Sequence, residues 1–210
     1  MRSEFVSAIK THEKLFALAI SYTAIERLAD YYELVLKHNE LLHLVAPCEP
    51  EEFATRHILE SLTMIEFLPK NAKFTDVGSG GGLPAIPCLI VREDLRATLI
   101  ESKEKKARFL KTVLAECGLK ERAEVIATQF SEVPKRRIEN LTCRALDKFA
   151  PKLPSLLKWS GLSNYLFFGG KTVKSAMLAA GLSIEEKLMP LSDQRYLFYS
   201  VSKKYVSRDE

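Results

Sequence analysis

No stretch of this 210-residue chain strings together the roughly 20 apolar residues that a membrane-spanning helix needs. The start, Met1-Arg2-Ser3-Glu4, lacks the apolar core of a signal peptide, and Glu13 soon follows, so a cytoplasmic protein without a membrane partner is expected. Cysteine is scarce: Cys48, Cys88, Cys117 and Cys143 stand alone, with no Cys-x-x-Cys pair and no histidine at ligand spacing. That pattern predicts reduced, mostly buried thiols and no metal site. Glycine is missing from the first 77 residues altogether. A strong excess of one charge is missing too: 31 Lys and Arg against 27 Asp and Glu leave +4, which selects no partner by itself.

What is present is the composition of an ordinary globular protein, 47% hydrophobic and 28% charged. A chain of this length can bury about 70% of its unfolded surface without disulfide or metal staples. It fits one domain with a modest extension, and a monomer is expected.

Residues 1–70 read as a helical extension. Thr23-Ala24-Ile25-Glu26 has the form of a capping box, and Ile25, Leu28, Ala29, Tyr32 and Leu36 recur behind it at helical spacing. Tyr31 and Tyr32 are assigned to that helical core. Pro50-Glu51-Glu52 reads as a first helical turn, opening a helix that turns Phe53, Ile58, Leu62 and Ile65 inward.

Residues 71–210 read as one compact α/β unit. Strands are predicted at 74–77, 96–100, 123–127, near 141–144, at 165–168 and at 196–202. Helices fall at 86–91, 103–117 (stopped by Gly118) and 171–180, with a proline-interrupted helix around Pro151 and Pro154. Strand and helix alternating in this way build a mainly parallel sheet with helices on both faces. The strands at 165–168 and 196–202 are expected to close it in antiparallel fashion. The tail from Ser207 is expected to fray.

The informative segment is Asp76-Val77-Gly78-Ser79-Gly80-Gly81-Gly82-Leu83-Pro84, which follows a strand and precedes a helix. Glycine permits positive φ and lets a ligand lie against bare backbone, and the helix behind offers free N–H groups. A nucleoside-bearing cofactor at the carboxyl end of the first strand follows. As Gly-x-Gly-x-x-Gly the match is imperfect, because Leu83 holds the third glycine position. Asp76 precedes the turn by two residues, placed to reach a cationic amine. Glu101 ends the second strand 19 residues after Gly82, where an acid accepts hydrogen bonds from ribose hydroxyls. An acid on each of two neighbouring strands, with no Lys or Arg in the loop, suits S-adenosyl-L-methionine better than NAD. A turn that merely packs strand on helix is the alternative.

These residues resemble the 16S rRNA guanine-N7 methyltransferases, the RsmG (GidB) family. Asp-Val-Gly-Ser-Gly-x-Gly-Leu-Pro-x-Ile-Pro at 76–87 carries the likeness. Arg56-His57-Ile58-Leu59-Glu60-Ser61-Leu62, Glu101-Ser102 with Lys105-Lys106 and Phe109-Leu110, Cys143-Arg144-Ala145, and Arg195-x-Leu197 with Lys203 extend it over roughly residues 30–204. The resemblance implies a Rossmann-like class I methyltransferase fold behind an N-terminal helical extension. It implies S-adenosyl-L-methionine as cofactor and transfer of methyl to a guanine N7 in the 530-loop region of 16S rRNA. The partner would be that rRNA, the 30S subunit or its precursor.

Carried over by position, Asp76, Gly78, Ser79, Gly80 and Leu83 would line the cofactor. Glu101 would hold the ribose, Ser102 would join the cofactor-binding residues, Phe130 and Ser131 would flank the adenine, and Arg144 would sit beside the methionine end and the target base. His57 is a candidate at the base by resemblance alone. Lys103, Lys105, Lys106, Arg108 and Lys111 fall within nine residues and Lys135, Arg136 and Arg137 are consecutive. Such runs suit RNA phosphates and predict salt-sensitive affinity; a solvated helix face is the alternative. The chain departs from the family where Asn-Leu-Thr reads His43-Leu44-Val45, although Asn39 agrees with an earlier family asparagine. It departs again where Lys-Gly reads Phe168-Gly169-Gly170, with Lys171 displaced. Both departures bear on RNA-side contacts. They motivate a catalytically inert ribosome-assembly module as a rival reading. A nicotinamide-dependent oxidoreductase is a weaker rival, because no Tyr-x-x-x-Lys pair accompanies the turn.

Overall fold

Only helical segments precede the first strand in the computed structural model, which describes residues 1–144 and 148–201. They are α1 (Arg2–His12), α2 (Tyr22–Leu42), and a composite helix at 50–67. The composite starts as α3 (Pro50–Glu52), widens into a π-helical stretch Phe53–Leu59, returns to α in α4 (Glu60–Leu62), and tightens to 3-10 over Thr63–Phe67. Pro50 takes the first helical position behind Glu49, as its lost N–H allows. Phe53, Ile58 and Leu62 are buried as expected, and Ile65 is half-buried. The cap of α2 lies two residues earlier than Thr23. Ser21 sits in extended conformation and its hydroxyl accepts from the Ala24 N–H, while Thr23 is inside the helix and Glu26 turns to Arg2.

Seven strands follow: β1 (Lys73–Val77), β2 (Arg96–Ile100), β3 (Ala123–Ile126), β4 (Asn140–Arg144), β5 (Asn164–Gly169), β6 (Glu185–Leu188) and β7 (Tyr196–Ser200). Between them run α5 (Ala85–Val91), α6 (Glu104–Glu116), α7 (Phe149–Ser160) and α8 (Lys171–Ala179). The sheet order is β3-β2-β1-β4-β5-β7-β6. The first five strands in that order are parallel, and β7 pairs antiparallel with both β5 and β6. The closing strand is thus antiparallel as read from sequence, but β6, absent from that reading, forms the edge beyond it. The strand predicted to reach Ser202 ends at Ser200; Ser202, Lys203, Ala145 and the tail from Ser207 lie outside the described residues.

Side chains alternate across the sheet with period two, and two cores result. Leu166, Phe168 and Leu197 join a core with α5, α6 and the N-terminal helices, while Tyr165, Phe167 and Phe198 join the other with α7 and α8. In the first core Phe5 stacks on Tyr32 at 4.6 Å, and Tyr32 packs on Phe53 at 4.8 Å. Each such aromatic pair adds about 1 kcal/mol beyond its buried area. Chain order reverses between β1 and β4, so a crevice opens at the carboxyl ends of those strands.

Candidate functional site

The glycine turn leaves β1 at that crevice. Gly78, Gly80 and Gly82 hold φ of 77°, 53° and 96°, conformations that a side chain disfavours. At Gly82 space forbids one as well: a Cβ there would stand 2.5 Å from Ile86 Cγ1. The Gly78 and Ser79 N–H groups donate to the Ile100 carbonyl, tying the turn to the end of β2.

Glu101 follows directly and is 6% exposed. Its two carboxylate oxygens accept from the N–H groups of Gly80 and Lys103, each at 2.8 Å. The acid therefore fastens the glycine turn to the loop ahead of α6. Each oxygen keeps a further lone pair for a ligand hydroxyl.

The N-terminal helices supply the other wall. Tyr31, buried in the core as expected, also donates its hydroxyl to the Gly81 carbonyl at 2.8 Å. Asn39 accepts from the N–H groups of Leu44 and Val45 and donates to the Val45 carbonyl, which shapes the loop after α2. Lys106 Nζ donates to the His43 carbonyl. Between this loop and the glycine turn lies a cavity of about 580 Å³, within the usual range for small-ligand sites.

Gly78, Ser79, Gly80, Leu83, Glu101, Ser102, Lys103, Lys106, His57 and Arg144 all line it. The sequence reading missed the stretch Leu44–Cys48, Glu52 and Lys152, which line it too. Asn39 was the available signal for that loop. Asp76, Phe130, Ser131, Lys105 and Arg108 are not among the lining residues. Phe130 instead packs edge-on against Trp159, and Ser131 is exposed. Lys105 lies exposed on α6, and Arg108 pairs with Glu104 one turn away.

Asp76 sits beneath the turn, 0% exposed, and neither carboxylate oxygen has a hydrogen-bond partner among the described residues. Burial pushes its carboxyl up to about 7, opposed by the neighbouring Ser79 hydroxyl, which donates to the Asp76 carbonyl, and aided by the charge of Glu101.

Arg144, closing β4, is committed to the composite helix. Its guanidinium donates to the carbonyls of Arg56 (2.6 Å) and His57 (3.3 Å), to Ser61 Oγ (2.9 Å) and, at 3.5 Å, to Glu60. Those carbonyls belong to the π-helical stretch and the turn it widens, where backbone oxygens lose their regular i+4 partners. Burial draws the Arg144 pKa down to about 10. His57 is held neutral, its pKa lowered to about 3 by burial and then by the charge of Arg144. Its Nδ1 is buried without a partner among the described residues.

Among the described residues there is no group of three or more His, Cys, Asp or Glu able to hold a metal, and no helix long and apolar enough to cross a membrane. Cys88 and Cys143 are buried and Cys48 and Cys117 are half-buried.

The model of the rRNA small subunit methyltransferase G family matches residues 24–174. A ribosomal RNA small subunit methyltransferase G from Sorangium cellulosum is 43% identical over 112 residues, 51% of this chain and 47% of the relative. One from Chromobacterium violaceum is 34% identical over 64% of each chain. The alignments thus span about half to two thirds of these curated relatives. Solved structures share the fold: a SAM-dependent methyltransferase from Aquifex aeolicus superposes with a TM-score of 0.58 at 15% identity, covering 79% of this chain and 96% of that one. TrmK of M. capricolum, in complex with S-adenosyl-homocysteine, gives 0.55 at 16% identity over 69% of this chain and 67% of its own. A match over most of the chain, on the glycine turn, the acid ending β2 and the Arg56–Ser61 helix alike, makes this protein a member of the rRNA small subunit methyltransferase G family.

Proposed function

We propose that this chain transfers a methyl group from S-adenosyl-L-methionine to N7 of a guanine in 16S rRNA, acting on the rRNA, the 30S subunit or its precursor. The observation that carries the reading is the Glu101 carboxylate, buried against the bare backbone of the glycine turn in a cavity sized for a nucleoside. The orphaned carboxylate of Asp76 fits as well, because a buried, unpartnered acid is costly until a cation or a proton meets it.

Bound adenosylmethionine supplies a methyl on a cationic sulfur. Glu101 would accept from the ribose hydroxyls, and the Gly78–Gly80 backbone would lie against the adenosyl group. Guanine N7 bears a lone pair and no proton, so no general base is required. The neutral His57 and the committed Arg144 accord with a site that works by positioning. Lys103 and Lys106 at the cavity rim, with Lys105 and Arg108 along α6, would meet RNA phosphates and make binding fall steeply with salt.

The test is transfer of labelled methyl to unmethylated small ribosomal subunits, with mapping of the modified base. Methylation of one guanine at N7 is expected. Normal binding of adenosylhomocysteine without any transfer would favour the inert assembly module instead.

A further inference from the structure

A second cavity, about 280 Å³, shares the wall formed by Arg56, His57 and Arg144 with the cofactor cavity. It lies between the composite helix and the ends of β5 and β7. Phe149, Phe168 and Tyr196 give it three aromatic rings, and its size suits one planar base rather than a whole nucleotide chain.

The polar groups around it are unequally occupied. Arg144 borders both cavities but spends its guanidinium on the composite helix, so it has little left for a base. Arg195, on the loop entering β7, donates only Nε, to Glu60 at 2.8 Å. Its two terminal nitrogens have no hydrogen bond among the described residues, and its side chain is 39% exposed. Glu60, 3% exposed, fixes this guanidinium from behind. The cavity thus has ring-lined sides and, at one edge, a held cation with two terminal nitrogens left to donate, while the one carboxylate in the lining, Glu60, turns its oxygens to Arg195 and Arg144.

A purine with a carbonyl at position 6 satisfies such an edge, whereas the amino group of adenine would oppose donor to donor. Resting on the methyl-transfer reading above, we propose that this cavity receives the unstacked target base and that Arg195 selects guanine by donating to its O6. The methyl acceptor N7 neighbours O6 on the same edge of the base, so a grip on O6 also orients N7 toward the shared wall and the cofactor cavity.

The experiment uses 16S rRNA built by splinted ligation with one analogue at the mapped target. Inosine keeps O6, while 2-aminopurine lacks it; both keep N7. With the wild-type protein, kcat/KM for 2-aminopurine should fall about ten- to a hundred-fold below that for inosine, the span of a charge-assisted hydrogen bond. In Arg195→Ala, transfer to guanine should fall similarly and the gap between the two analogues should close. Arg195→Lys keeps a cationic partner for Glu60 and serves where the alanine variant is unstable; it should bind adenosylhomocysteine like wild type and narrow the gap. A wild-type protein that methylates 2-aminopurine as well as inosine, or a folded variant that keeps the full gap, overturns the assignment of Arg195. Failure of the wild type on guanine itself removes the methyl-transfer reading and this inference with it.

Discussion

Neither oxygen of Asp76 finds a donor among the described residues although the side chain is wholly buried, and its carboxyl is raised to about 7. In the unfolded chain the same carboxyl titrates at its ordinary value near 3.8. Between these values the folded protein holds a proton that the unfolded chain has released. The contribution of this group is therefore full below about pH 4, declines as pH rises to about 7, and is flat above. Three units of difference set the scale at about 4 kcal/mol. Urea unfolding of wild type and Asp76→Asn from pH 5 to 8 should show the variant gaining on wild type as pH rises; parallel curves would refute it. Gly78 and Glu101 were legible in sequence because their roles rest on local backbone geometry and a fixed spacing. The commitments of Arg144 were not, since its partners stand 83 to 88 residues away.

Helix α2 shows how a local signal misleads by two residues. Thr23-x-x-Glu26 satisfies the capping pattern, but the chain turns from extended to helical at Ser21, and Glu26 gains more from Arg2 than from a backbone N–H. Ser21→Ala should cost about 1 kcal/mol in chemical denaturation and Thr23→Ala close to nothing; the reverse order would restore the cap to Thr23. Strand β6 was invisible for a related reason. Glu185, Glu186 and Leu188 are exposed on an edge strand with one neighbour, so no buried face imposes alternation on the sequence. The composite helix is bound to the sheet through Glu60, which receives Arg195 from the loop before β7 and Arg144 from β4. Burial raises the Glu60 carboxyl even between two arginines. Glu60→Ala removes the carboxylate that holds Arg195 and the longest of the Arg144 contacts, and since Arg144 keeps its other acceptors and Arg195 is part-exposed, a loss of about 1 to 2 kcal/mol in chemical denaturation is expected. A variant as stable as wild type would mean that Glu60 does not tie the composite helix to the sheet.

The division into a helical extension and a separate α/β unit, natural from the missing glycines and from the strand–helix rhythm after residue 70, accounts for the local structure but not for how the parts pack. Helix α2 packs on α5 and α6, and Phe5, Leu28, Tyr31, Phe53 and Leu62 share one core with Leu89, Leu110 and Leu197. Helical spacing shows that these faces are apolar but not which element covers them, because the contacts are long-range. We therefore propose that the two parts fold as one unit. A fragment of residues 71–210 would expose the apolar faces of α5 and α6, at about 2 kcal/mol for each large side chain returned to water. It would also lose the Tyr31 bond to the Gly81 carbonyl, so the cofactor turn would lose a brace along with its cover. Domains are stable by only about 5 to 15 kcal/mol, and a few such exposures exhaust that margin. The fragment should show no cooperative thermal transition and no adenosylhomocysteine binding by calorimetry. A fragment that melts cooperatively and binds the ligand would establish the sheet unit as an independent domain and the helices as an accessory.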